Sequence, residues 1–120
     1  MEPRDLHLGT AERRFAEIVW ENAPLTTRAL VALCAEALDW KRTTTYTVLK
    51  RLCDRGLFRT EDGTVTVLVS RDALDAAQSE QFVSERFGGS LPAFVAAFAA
   101  GKKLKPEEVA ELRALIDAME

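Results

Sequence analysis

The sequence is poor in the side chains that do chemistry: 120 residues hold one His, two Cys and one Tyr. Cys34 and Cys53 belong to no CxxC pair, and His7 is far from both in sequence, so a zinc or other metal site is not supported. Each cysteine falls where a helix turns its apolar face inward and reads as a small buried hydrophobe. A redox switch would need an exposed thiolate of low pKa. With a single His no nucleophile–base pair stands out, and no Gly-rich loop is present to cradle a phosphate. Glu107 and Glu108 suit the first turn of a helix, where acids meet the positive end of the dipole, better than a catalytic pair. Nothing here predicts an enzyme or a cofactor. Long apolar runs are also missing. The longest, around 94–100, is Ala-rich and far too short to span a bilayer. The opening MEPRDLHLG lacks the apolar core of a signal peptide. These absences predict a soluble, cytoplasmic protein with no direct membrane insertion.

What is present is enough for a core. Hydrophobic residues make up 48% and charged residues 29%, a balance that folds rather than staying disordered. The length fits one compact domain, or a domain with a dimerising extension. Charge is unevenly placed. The whole chain is −3, yet residues 40–59 gather Lys41, Arg42, Lys50, Arg51, Arg55 and Arg59 against Asp54 alone. A basic segment in an acidic protein is a local field of the kind that finds phosphate. Residues 1–70 balance ten basic against ten acidic side chains, whereas 71–120 hold six against nine. The acidic C-terminal part is the better candidate for protein contacts.

The basic segment is also helix-patterned. Val48, Leu49, Leu52 and Cys53 share one face with Thr45 beside them, while Thr43, Thr47, Lys50 and Arg51 point the other way. Short hydroxyls interleaved with long cations suit a helix lying in a DNA major groove. An ordinary solvated face carries a similar pattern, so the surroundings decide. Thr10 can cap a helix to about residue 21 with Phe15, Ile18 and Val19 inward, and Asn22-Ala23-Pro24 breaks it. Thr26 then caps a second helix, with Leu25 and Leu30 at staple spacing and Leu30, Leu33, Cys34 and Leu38 as its core stripe. The basic helix follows over about 43–55, with Gly56 at its C′ position. Residues 57–60 and 64–69 are β-rich, and Glu61-Asp62-Gly63 between them signals a hairpin. Helix, helix, helix, hairpin is the order of a winged helix-turn-helix, with the third helix as reader and the hairpin as wing.

Beyond residue 70 the pattern is helical throughout. Ser70 opens a helix to about Phe87, stopped by Gly88-Gly89; a short helix over 93–100 follows Ser90-Leu91-Pro92; Pro106-Glu107-Glu108 starts the last. Three small helices cannot bury their apolar side chains alone; folding back on the winged domain is one way to cover them, and a second copy of the chain is the expected one. The predicted fold is thus mainly α with a small β-hairpin: a winged helix domain over 1–70 and a helical dimerisation region over 71–120. The expected DNA contacts are Thr27, Arg28, Lys41, Arg42, Thr43, Thr44, Tyr46, Thr47, Lys50, Arg51 and Arg59. The expected dimer core is Phe82, Phe87, Phe94, Phe98, Leu112 and Ile116. Trp20 and Trp40 read as core anchors. The acidic wing tip, Glu61-Asp62, predicts a wing that approaches DNA weakly or through Arg59, Thr60 and Thr64 only. The rival reading is a winged module that binds protein and no DNA; the charge concentrated on the third helix speaks against it.

Taken in order, these stretches resemble the penicillinase and methicillin-resistance repressors, with their copper-responsive relatives. The similarity rests on AERRFAEIVWENAPLTTRAL, with a Trp near the end of the first helix and a capped second helix, on RTTTYTVLKRLCDRGLF as recognition helix and exit into the wing, and on SEQFVSERFGGSLPAFVAAF with LKPEEVAELRALI as dimerisation region. The resemblance implies a dimeric repressor of antibiotic-resistance or related genes on a palindromic double-stranded DNA operator. In the antibiotic-resistance members a membrane sensor with a zinc protease domain triggers cleavage of the repressor, just before a Phe and commonly after Asn. The matching bond here is Ala97-Phe98, and the Asn is absent. Copper-responsive members end in a cysteine cluster, and the sequence to Glu120 carries none, which argues against copper sensing.

Overall fold

Phe15, Ala16 and Val19 repeat at helical spacing and are all fully buried on one side of α1 (Thr10–Asn22). The computed structural model describes residues 6–119, so the first five residues of the expected N-terminal domain and Glu120 lie outside it. Thr10 is the first helical residue rather than the cap. Gly9 takes that position, and its N–H donates to Glu12 Oε1 at 3.0 Å. The glutamate supplies the reciprocal half of a capping box, taking the N–H of the cap residue itself, while glycine has no side chain to take an N–H of the first turn as a threonine hydroxyl would. The second helix, α2 (Thr27–Leu38), is capped as its sequence predicts: Thr26 Oγ1 accepts the Ala29 N–H at 3.0 Å. Leu25 and Leu30 beside this cap are both buried.

Helix α3 (Arg42–Asp54) buries Thr45, Val48, Leu49 and Leu52. Its exit is a double-bonded turn. The Gly56 N–H reaches the Cys53 carbonyl at 2.9 Å and the Leu57 N–H reaches that of Leu52 at 3.0 Å. Gly56 sits there at φ +85°, where any side chain would be strained. The chain then enters β2 (Phe58–Glu61), turns through Asp62 and Gly63 at φ +52° and +73°, and returns as β3 (Thr64–Val67). Two positive φ angles in a two-residue loop match the twist of the strands they join. Glu61 therefore pairs with Thr64 and belongs to the strand, not to the loop.

The sheet has one strand more than the sequence suggests. Leu25–Thr26 forms β1 and pairs antiparallel with β3, Leu25 opposite Val65 and Thr26 opposite Thr64, giving the order β1-β3-β2. The Thr27 N–H donates to the Gly63 carbonyl at 2.9 Å, so the start of α2 is tied to the wing. Phe58 and Val65 then meet Phe15, Val19, Leu30 and Leu52 in the core. Trp40 stacks on Phe15 with ring centroids 5.8 Å apart, and Trp20 meets Phe58 edge-on at 6.0 Å. Burying each such side chain contributes about 1.5–3 kcal/mol.

The chain divides into two compact units, Met1–Gln78 and Ser79–Glu120. Helix α4 (Arg71–Phe87) opens in the first unit, where Ser70 Oγ accepts the Ala73 N–H and Leu74 is buried. Arg13 binds Asp75 at 2.8 Å and Glu17 at 2.9 Å, Arg71 also pairs with Glu17, and Trp20 Nε1 donates to the Val69 carbonyl at 3.0 Å. The second unit holds the end of α4, α5 (Leu91–Gly101) and α6 (Pro106–Ala118). Gly88 and Gly89, at φ +57° and +83°, separate α4 from α5, and Ser90 Oγ caps α5 by accepting the Ala93 N–H. Phe82, Phe87 and Phe94 form a triangle of rings with centroids 5.5–6.0 Å apart, and Phe98 extends it at 6.4 Å from Phe94. No described residue of α5 or α6 is buried. Among the described residues no helix is long and apolar enough to cross a membrane.

Candidate nucleic-acid interface

A helix packed by Thr45, Val48, Leu49 and Leu52 must turn its other residues outward. Lys41, Arg42, Thr43, Thr44, Tyr46, Thr47, Lys50 and Arg51 are all exposed. Thr43, Thr47 and Lys50 follow one another along the middle of that face. Thr47 Oγ1 donates to the Thr43 carbonyl at 2.9 Å. With its proton so engaged, its oxygen presents lone pairs outward, which suits it to accept from a base amino group. The buried threonine, Thr45, turns its hydroxyl back to the Lys41 carbonyl at 3.3 Å.

The cations fall into two groups. Arg28, Lys41 and Arg42 have no carboxylate at ion-pair distance among the described residues. Arg42 lies over the Tyr46 ring, 5.4 Å from its centroid. Together with Thr27, Arg28 and Val31 these residues line a concave site of about 450 Å³ where the starts of α2 and α3 meet. The Tyr46 hydroxyl is held below its usual range, first by a hydrogen bond with Thr27 and then by the charge of Arg42. The second group is already engaged. Lys50 Nζ meets Asp54 at 2.9 Å, Arg51 meets Glu12 at 3.2 Å, Arg55 meets Glu12 at 3.7 Å and Arg59 meets Glu61 at 3.0 Å. The Gly9 N–H, and after it Arg51 and Arg55, hold the Glu12 carboxyl below the ordinary carboxylate range against the opposing effect of burial. Asp54 raises the Lys50 ammonium above its ordinary value. An exposed ion pair contributes about 0–1 kcal/mol. Lys50–Asp54 and Arg59–Glu61 are the two exposed pairs, so a phosphate can compete for those cations.

Helical periodicity alone marks every cation of this face and leaves most of the acids that engage them unmarked. Lys50–Asp54 is readable as an i,i+4 spacing. Glu12 lies 39 residues before Arg51 and carries no local signal. Of the cysteines, Cys34 is fully buried, and burial pushes its thiol up while a hydrogen bond with Thr45 opposes this. Cys53 is half-buried with its sulfur 3.6 Å from Thr60 Oγ1.

In the second unit Phe82, Phe98, Leu112 and Ile116 are exposed, and Phe87 and Phe94 are half-buried. Phe94, Val95, Phe98, Leu104, Leu112 and Leu115 line an apolar groove of about 480 Å³ with Glu108 and Glu111. Ala97 and Phe98 are consecutive residues inside α5, and the Phe98 carbonyl accepts the Lys102 N–H at 3.0 Å. Residues 8–118 match the family described as penicillinase repressor. No curated protein matches the chain.

Proposed function

The chain belongs to the penicillinase repressor family, and from that premise we propose a homodimeric transcriptional repressor that seats α3 of each protomer in the major groove of a palindromic operator. A regulator, rather than an enzyme, is what the family implies. The observation that carries the reading is the pairing of an exposed hydroxyl stripe with three cations that have no carboxylate at ion-pair distance among the described residues, Arg28, Lys41 and Arg42, around the start of α3. In this reading Arg42, Thr43 and Thr47 meet base edges, while the concave site of Thr27, Arg28 and Tyr46 takes a backbone phosphate. Thr44, Lys41, Lys50 and Arg51 add phosphate contacts along the helix, and Arg59 with Thr60 and Thr64 adds them from the wing.

The exposed and half-buried apolar side chains at the end of α4 and along α5 and α6 support the second half of the proposal. Phe82, Phe87, Phe94, Phe98, Leu112 and Ile116 form the dimer core once a second copy covers them. Two-fold symmetry in the protein then asks for two-fold symmetry in the DNA. Selection of bound duplexes from a randomised pool tests both halves together. Enrichment of an inverted repeat supports the proposal; no enrichment, with the chain monomeric at high micromolar concentration, overturns it. Cleavage at Ala97-Phe98, signalled by a membrane sensor protease, is the family's switching route and is proposed for this chain in the same sense. It would release α6 with the end of α5 and dismantle the apolar face.

A further inference from the structure

Lys50 and Arg59 each have a carboxylate beside them on the same element. Asp54 lies one turn further along α3 at 2.9 Å, and Glu61 lies two residues further along β2 at 3.0 Å. All four side chains are more than half exposed, 79% and 65% in the first pair and 58% and 67% in the second. A phosphate therefore has the same access to each cation as its acid has.

The acids stand where folding gains little from them. Asp54 is the last residue of α3, at the negative end of the helix dipole, where an anion is unfavourable. Helical spacing sets it in line with Thr43, Thr47 and Lys50, in the middle of the hydroxyl-and-cation stripe. Glu61 stands beside the Asp62-Gly63 turn at the wing tip, next to the cation that the wing offers. Glu12 also engages cations, but its carboxylate accepts the Gly9 N–H and so has a structural role of its own.

We propose, on the reading that α3 and the wing hold DNA, that Asp54 and Glu61 set the affinity of this face by occupying Lys50 and Arg59 in the free protein. Either cation must leave its acid before it reaches a phosphate, and the acid left behind repels the backbone. Binding to DNA of arbitrary sequence rests on phosphate contacts, so it has nothing to offset this loss. A complex that also reads bases through Arg42, Thr43 and Thr47 does. The loss falls on both complexes alike, so the two acids lower the affinity of the whole face, and the base contacts alone hold the specific complex above the generic one.

The test uses the full chain and a short duplex of scrambled sequence, titrated over a range of salt concentrations. Asp54→Asn and Glu61→Gln are compared with the unchanged protein and with Glu80→Gln, which removes the same charge from the second unit. Each of the first two variants should bind the scrambled duplex about fivefold more tightly. Each should also steepen the dependence of log K on log salt by about 0.9. Lys50→Ala added to Asp54→Asn should remove that variant's gain. Unchanged affinity and slope in both variants would overturn the proposal, as would an equal gain from Glu80→Gln. Failure of the unchanged protein to bind at low salt would instead overturn the DNA reading of α3, and this proposal with it.

Discussion

Arg42 and Lys50 carry the same charge on the same helix and differ in their company. Arg42 has the Tyr46 ring and no carboxylate; Lys50 has Asp54. Arg42→Ala should therefore cost about 1–3 kcal/mol of binding and relax sequence preference at the base it reads. Lys50→Ala should cost less and weaken all sequences alike, since losing it also removes an ion pair that DNA would have to break. Fluorescence anisotropy with selected and scrambled duplexes separates the two patterns. Glu12 makes a residue-scale prediction about stability. Its folded pKa is depressed below the ordinary 4.5, so its contribution is complete above that value and is lost as pH falls through the lower folded one. Asp75, held down by Arg13, acts in the same direction. Thermal melts should be insensitive to these groups from neutral pH to about 5 and decline below that. Glu12→Gln should lower the neutral-pH melting temperature and shrink the acid decline; an undiminished decline would assign it to other carboxylates.

At the scale of elements, local chemistry accounts for most boundaries. Thr26 caps α2 through its own hydroxyl, and Thr26→Ala should cost about 1 kcal/mol in a denaturant titration. Gly56 ends α3 and Asp62-Gly63 turns the hairpin because each needs a left-handed backbone, a requirement legible in the residues themselves. What is not legible in the sequence is non-local. Two residues, Leu25 and Thr26, are too few to show strand alternation, so β1 emerges only when β3 lies beside it. Gly9 displaces Thr10 as cap because Glu12 reaches back, and Glu12 meets Arg51 because α1 packs near α3. The outward face of α3 is legible because helical periodicity fixes it; the acids that engage its cations are legible only at Asp54. Element structure also bears on switching. Ala97-Phe98 lies within the hydrogen-bonded run of α5, and a protease needs extended backbone, so cutting there requires local unwinding. If release of the operator runs through this bond, mass spectrometry of cells exposed to a cell-wall antibiotic should find a fragment ending at Ala97. Intact repressor alongside an induced target gene would leave Phe98 a packing residue only.

At the scale of the whole molecule, two units divide the work: a winged unit with a buried core and an Arg/Lys face, and a helical unit whose aromatic and aliphatic side chains remain half-buried or exposed. In the proposed dimer the second takes a partner, and linking two readers would raise affinity through effective concentration rather than through any new DNA contact. Phe98→Asp with Ile116→Asp should leave the winged unit folded, turn sedimentation from dimer to monomer and weaken operator binding by orders of magnitude. A dimer that survives both substitutions would move the interface elsewhere. The central claim, that the Arg28 and Arg42 end of α3 grips DNA, is tested most directly by the salt dependence of binding in Arg28→Ala with Arg42→Ala. Removing these two cations from each protomer should reduce the slope of log K against log salt by about 0.9 for every phosphate they neutralise in the unchanged protein. An operator complex whose affinity and salt slope match those of the unchanged protein would contradict it.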